Sequence, residues 1–438
     1  MATLVCNYLR HQGLTVVEGP IWQGGKLLRT LRPRLYFSVS AIGGQVNFET
    51  MRYAFRRKIP GVTLVAEGNF SEFGDLDVFI WGCGNNPDRV IYEQKQLMWS
   101  RRTRNLFLRD YPQWSDRLYV SGAVGFDAYR VAELEPRAVV LGRHGLERFQ
   151  RVVGYGCWDF GTSYPADYRH PVARERLGDD QLEWFRREGK RSNDVLRELI
   201  TANPDTLFLL KEHPGRQLGA LASGIEGLAG LDNTLVIHRE EGIASCIAIS
   251  DVWFSFESTT AIEAWLLGKP TGLINPGGTD FPRATLFKGS PNFPSVGHLQ
   301  AGLDQYWRDG SLPGFADLEA ERDRIVEDTI QWADGLNHVR AGNEIIDMLE
   351  GLERTASFPS FFRDRFLLRE KLRWWLSVLP LHPKSKKYRR VSRAFSEAEV
   401  ACFAVERLGH QTKFYHRLGL DRAALLDIRG FSPTPEST

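Results

Sequence analysis

Short apolar runs rich in β-branched and aromatic residues alternate along this chain with longer amphipathic stretches, and that alternation restricts the fold more than any other feature. A strand period broken by helical segments of ten or more residues specifies α/β units around parallel sheets, and excludes an all-helical bundle or a β-sandwich. Strands are expected at Leu14–Val17, Leu35–Val39, Val62–Ala66, Val78–Trp81 and Arg117–Val120. A second set is expected at Arg151–Gly154, Leu207–Lys211, Thr234–Ile237, Val252–Phe254 and Thr271–Ile274. Helices fall between them, notably Asp180–Asn203 and Thr260–Leu267, the latter stopped by Gly268 and Lys269-Pro270. The chain opens on a helix, Thr3 to His11, where a doubly wound domain ordinarily opens on a strand.

Leu141–Gln150 reads as a linker between the two strand sets. At 438 residues the chain is long enough for two such domains and an appendage. The expected division is 1–146, an acceptor-side Rossmann-like domain; 147–350, a nucleotide-binding Rossmann-like domain; and 351–438, a basic helical region packed on the second domain and ending in a disordered FSPTPEST tail.

Composition closes off several function classes. A 42% hydrophobic fraction without an apolar run of spanning length excludes an integral membrane helix. The opening residues lack a charged stretch followed by an apolar one, so a cytoplasmic protein is expected. Five cysteines with no CxxC spacing point to buried thiols rather than disulfides or a zinc ribbon. Net charge is +2, but 361–390 holds ten Lys and Arg against Asp364 and Glu370, which leaves about −6 on the remainder. Phe361, Leu368, Leu372, Trp375 and Leu379 fall on one helical stripe of that segment with basic residues beside them. It reads either as a peripheral contact with a membrane face or as a helix docked on its own domain; no nucleic-acid-reading motif accompanies the charge.

Two clusters carry candidate chemistry. KEHPG follows the apolar strand TLFLLK, which puts His213 and Pro214, with Lys211 as a weaker neighbour, at a strand's carboxyl end, where open α/β sheets bind ligands. A histidine there donates to a phosphate oxygen, and the proline fixes the turn that aims it. In SDVWFSFESTTAIEAWLLGKP a buried strand leads through Ser258 and Thr259 into a helix carrying Glu263. The hydroxyls and free N–H groups of that turn suit a phosphate, unless Ser258 simply caps its own helix; Glu263 suits a ribose hydroxyl, unless it is a surface charge.

The order strand-HP, then strand-S-[ST]-x-x-x-EA-x-x-x-GKP, resembles the nucleotide half of GT-B fold glycosyltransferases, and among them bacterial surface-carbohydrate enzymes of the Kdo-transferase and sialyltransferase type. The resemblance covers about residues 1–280 and implies two Rossmann-like domains facing a cleft, with His213, Ser258 and Thr259 holding the donor phosphate. VTLVAEGNF resembles the acidic-acidic-Gly motif that supplies the base in those enzymes. Ala66 stands for the first acid and Glu67 for the second, so Glu67 is the candidate base. DVFIWG, with Gly82, and YVSGAVGFDAYR are similar to further pieces of surface-polysaccharide proteins.

The implied activity is inverting, metal-independent transfer of a sugar from a nucleotide donor, a CMP-sugar for preference, to a glycan or lipid-linked acceptor, with no cofactor. Three alternatives stand beside it: a CDP-glycerol-type polyol-phosphate transferase, an epimerase of the UDP-N-acetylglucosamine type, and a non-catalytic scaffold of the same fold. Asp75-Leu76-Asp77 is a DxD that a metal route would use, but Asp77 starts an expected strand. NPGGTD, directly after Thr271–Ile274, adds Asp280 as a weaker candidate.

Overall fold

The computed structural model describes residues 1–39, 45–65, 86, 89–157, 171–212, 225, 228–238, 240–256, 258–278, 288–352, 356–378 and 409–432. These form two parallel-sheet α/β units. One is built from the described residues up to Ala132 together with those from Glu327 onward, the other from those of Glu133–Val326.

The first unit carries β1 (Tyr36–Val39), β2 (Gly61–Leu64), β3 (Lys95–Met98) and β4 (Leu118–Val120), all parallel and side by side in chain order. Its helices include α1 (Ala2–His11), α2 (Gly24–Leu31), α3 (Gln45–Arg56) and α4 (Arg101–Asp110). Val62, Leu64 and Leu97 form a core with Leu4, Val5, Tyr8 and Leu9 of α1. Leu14–Val17 is not a strand: Leu14 and Val16 pack against that same core, and the Val16 carbonyl accepts from Arg10 Nη2 at 3.2 Å, which takes its backbone out of any ladder. The expected strand Val78–Trp81 lies outside the described residues. Lys95–Met98 carries no apolar run and is buried because it sits mid-sheet; Lys95 is held by Glu344 at 2.5 Å.

The second unit carries β5 (Arg151–Gly156), β6 (Thr206–Lys211), β7 (Thr234–Ile237), β8 (Val252–Ser255), β9 (Thr271–Ile274) and the two-residue β10 (Asn292–Phe293). Their spatial order is β10-β9-β8-β5-β6-β7, parallel throughout. Counted within the unit this is 3-2-1-4-5-6, the doubly wound order of dinucleotide-binding sheets. All positions of β6, β8 and β9 are buried, as strands covered by helices on both faces must be. The helices are α5 (Arg137–Arg143), α6 (Pro171–Ala202), α7 (Ile243–Ile249), α8 (Thr260–Leu266), α9 (Val296–Asp309) and the part of α10 (Glu319–Ile330) up to Val326. Asp251 ties the feet of two central strands together, accepting from Val152 N at 2.8 Å and pairing with Arg137. Gly268, at φ +69°, ends α8 as the GKP sequence implies, its N–H bonded to Trp265 O and that of Lys269 to Ala264 O.

The C-terminal residues depart from expectation. The sequence reading places 147–350 in the second domain and packs 351–438 upon it; the structure instead puts α11 (Asn337–Leu349) against α1 in the first unit. Gly342 is what lets them meet, because a Cβ there would overlap the Tyr8 ring, and Tyr8 Oη donates to Asn343 Oδ1 at 2.5 Å. Phe414 and Tyr415, on a helix over 409–417, join the same core, and Phe431 extends the sheet edge through an antiparallel bridge to Val120. α12 (Arg365–Val378) docks on the first unit through Phe366, which stacks on Tyr53 at 4.4 Å, and Leu367.

This packing accounts for the FDAYR stretch. Asp127 is buried and accepts from His338 N at 2.6 Å, His338 Nδ1 at 2.8 Å and Asn337 Nδ2 at 2.9 Å. His338 Nε2 lies 2.6 Å from Tyr415 Oη, and Arg130 Nε donates to Ala333 O. The motif anchors α11. Among the described residues no helix is long and apolar enough to cross a membrane.

Candidate functional site

In the second sheet the strand order reverses between β5 and β8, so crossovers leave the carboxyl ends of these neighbours in opposite directions. That gap is where a doubly wound sheet holds ligands. Two glycines of β5 shape it. Gly154 and Gly156 share one face of the strand by the period of two, and both must lack a Cβ. A methyl at 154 would overlap the Trp253 ring and one at 156 would overlap Thr260 Oγ1, so the bare strand admits a fully buried tryptophan and the first residue of α8.

From there a chain of hydrogen bonds runs outward. Trp253 Nε1 donates to Thr260 Oγ1 at 3.0 Å, and Thr260 Oγ1 donates to Ser258 Oγ at 3.0 Å. Ser258 Oγ also accepts from Thr260 N at 3.3 Å. Ser258 is thus an acceptor twice over within its own turn, and its O–H is the terminal donor of a polarised series. Each donor in the series strengthens the next, which makes that proton better suited to an anionic oxygen than an isolated serine's.

Of the two roles weighed for Ser258, the structure shows the one within its own turn, the oxygen accepting from Thr260 N and Thr260 Oγ1. Thr259 is half-buried, stands at the N-cap of α8 and makes no side-chain capping bond. Glu263 lies half-buried in the first turn of α8. Lys211 is buried at the end of β6, and its ammonium donates to the carbonyls of His238 at 2.6 Å and Glu212 at 3.2 Å, which braces the ends of β6 and β7. Glu67, Gly82, His213, Pro214 and Asp280, with Asp75 and Asp77, lie outside the described residues.

Sequence reasoning passed over Gly156, Trp253 and Thr260. The available signal was G-x-G inside a strand, which reads as close backbone approach, together with a second hydroxyl after Ser258. It also passed over a charged group at the carboxyl ends of β6 and β7. Glu212, buried, has a carboxylate oxygen 3.0 Å from His238 Nδ1, and His238 N donates to Glu240 at 2.8 Å. Nearby Glu241 is clamped by Arg143 at 2.9 Å and lies 3.3 Å from His144 Nε2. Cys246, buried beneath, has its thiol pushed up to about 12 by burial, with Lys211 opposing, so it is inert at neutral pH. Cys6 is pushed up still further by burial. Among the described residues no group of three or more His, Cys, Asp and Glu is placed to hold a metal ion.

No family model matches the chain, and neither does any curated protein. Solved structures do. A Listeria monocytogenes protein described as a UDP-N-acetylglucosamine 2-epimerase is 13% identical with a TM-score of 0.48, over 79% of this chain and 85% of that one. The Neisseria meningitidis UDP-GlcNAc 2-epimerase bound to UDP-GlcNAc is 15% identical, with a TM-score of 0.43 over 75% of this chain and 79% of its own. Anabaena HepE in complex with UDP-glucose is 14% identical, with a TM-score of 0.42 over 76% and 84%. These names are epimerases and a UDP-glucose complex, not the Kdo- or sialyltransferases that the motifs resemble. With every TM-score below 0.5, no residue role is carried across.

Proposed function

We propose that this chain is an enzyme acting on a nucleotide-activated sugar, and that the second unit holds the nucleotide at the carboxyl ends of β5, β6 and β8. The observation that carries the proposal is the 3-2-1-4-5-6 sheet, whose reversal point coincides with the Trp253–Thr260–Ser258 donor chain. In this reading Ser258 Oγ–H and the imidazole of His213 donate to phosphate oxygens, Thr259 contributes its hydroxyl and Glu263 accepts from a ribose hydroxyl. Glu67 is the candidate base. Donor groups fixed in advance at a departing phosphate stabilise the charge that develops there, and a carboxylate takes the proton from an attacking hydroxyl.

Two chemistries fit this frame. The motif resemblance supports inverting transfer to a glycan or lipid-linked acceptor in surface polysaccharide synthesis. The names of the similar structures make UDP-N-acetylglucosamine the other substrate to try, with 2-epimerisation as the reaction. Product analysis separates them, and the polyol-phosphate alternative with them: purified protein is incubated with CMP-sugars, UDP-sugars and CDP-glycerol, with and without a glycan acceptor, and followed by NMR. An isomerised sugar nucleotide means epimerase, a glycoside means transferase, and a phosphodiester from CDP-glycerol means polyol-phosphate transferase. Failure to turn over or bind any of them overturns the proposal and leaves the scaffold reading. Glu67→Gln should abolish turnover with nucleotide affinity retained; unchanged turnover removes Glu67 from the chemistry.

A further inference from the structure

The segment 361–390 combines ten basic residues with an aromatic and aliphatic stripe, and α12 shows how its two faces are used. At 100° per residue, Phe366, Leu367, Glu370 and Arg373 fall on one side of the helix, and that side docks. Phe366 stacks on Tyr53, and Leu367 is buried. Glu370 accepts from the N–H groups of Gly25 and Lys26, both at 2.9 Å, and so caps the start of α2. Asp364, immediately before the helix, is buried, accepts from Tyr53 Oη at 2.6 Å and lies 3.7 Å from Arg57.

Among the described residues no element covers the opposite side. Leu368, Leu372 and Trp375 fall within an arc of about 60° and are 38%, 59% and 60% exposed, and Phe362 just upstream is 85% exposed. Arg365 and Arg369 border the stripe on one flank and Lys371 on the other, all three exposed. Arg369 reaches Glu49 at 3.2 Å while its side chain stays 53% exposed. The one-sided charge follows from the packing: the two acids of this segment are spent on the docked side, so the open side is apolar at its centre and purely cationic at its rim. Phe361, expected on the stripe, instead packs inward against the Tyr53 cluster.

We propose that this face of α12, with Phe362, is a docking surface for an anionic lipid bilayer. Charge complementarity selects that occupant, since a cationic rim around Leu, Trp and Phe matches a headgroup layer in which the rings sit at the boundary and the cations lie among phosphates. The inference does not depend on the nucleotide-sugar reading, because no residue of the second unit enters it.

The test is co-sedimentation of the full chain with sucrose-loaded vesicles of phosphatidylglycerol and phosphatidylethanolamine, against phosphatidylcholine alone, at low and high salt. Binding is expected to the anionic vesicles, weakening with salt. Leu372→Ser with Trp375→Ser should lower partitioning by at least about tenfold. Arg365→Glu with Lys371→Glu should lower it by about fivefold or more for each cation removed. Both double variants change exposed side chains, so their melting temperatures should match the parent. No binding to anionic vesicles, or binding untouched by either variant, overturns the proposal. So does a concentration-dependent dimer in sedimentation velocity that the Leu372/Trp375 variant dissolves, since the face would then be a contact between copies.

Discussion

Thr260→Val tests the donor chain at the switch point directly, because valine keeps the shape of threonine and removes only the hydroxyl. The residue left stranded is Trp253, which is completely buried and whose Nε1–H has Thr260 Oγ1 as its acceptor at 3.0 Å. Leaving a buried donor unsatisfied costs about 1–3 kcal/mol. Thr260 is itself half-buried, so partial access of water favours the lower half of that range. For a unit the size of Glu133–Val326 each kcal/mol moves the melting temperature by about 2–4 °C, which gives a fall of roughly 2–8 °C by calorimetry. A double-mutant cycle isolates the bond: in a Trp253→Phe background the donor is gone, and Thr260→Val should then cost less than about 0.5 kcal/mol. An unchanged melting temperature for the single variant, or the same cost in both backgrounds, would refute the reasoning.

Three further outcomes follow from the packing and the charges. Gly342→Ala forces a methyl into the Tyr8 ring, so it should destabilise the first unit by about 1–3 kcal/mol in urea titration, and pairing it with Tyr8→Leu should recover part of the loss. Glu93 is buried and its carboxyl is raised by desolvation to about 6, so the folded state holds a proton that the unfolded state has released above about pH 4.5. Its stabilising share is therefore complete below that pH and lost as pH rises through about 6, and Glu93→Gln should gain about 1–2 kcal/mol at pH 7.5 with little change at pH 4.5, measured by denaturant titration. Glu370, raised to about 7 by burial with the N–H groups of Gly25 and Lys26 opposing, acts in the same direction, so Glu370→Gln should flatten the decline in melting temperature between pH 5 and 8.

The parallel-sheet class and most strands of the second unit were legible because buried parallel strands are continuous apolar runs: TLFLLK, VWFS and TGLI announce themselves. Lys95–Met98 did not, since centrality in a sheet is a tertiary property that four residues opening with Lys and Gln do not encode. The reach of the C-terminus into the first unit was invisible for the same reason. Nothing local in NHVRAGNEII says that Gly342 will lie against Tyr8 or that His338 will take up Asp127. At the candidate site, the hydroxyl run Ser258-Thr259-Thr260 after a strand could be read from the sequence. The role of Thr260 depended on Trp253 crossing two glycines on the neighbouring strand, a relation between residues about a hundred positions apart.

The central claim is that the second unit binds a sugar nucleotide at this edge of its sheet. The measurement that tests it most directly is calorimetric titration of the full chain with UDP-N-acetylglucosamine, UDP, CDP and CMP, repeated on His213→Ala and Ser258→Ala, with circular dichroism to confirm that each variant is folded. The account predicts saturable binding of at least one of these nucleotides by the parent, weakened by about tenfold or more in each variant, in keeping with the loss of a hydrogen bond to a charged group. Binding of equal strength in the parent and both variants, or no heat from any nucleotide at millimolar concentration, would contradict it.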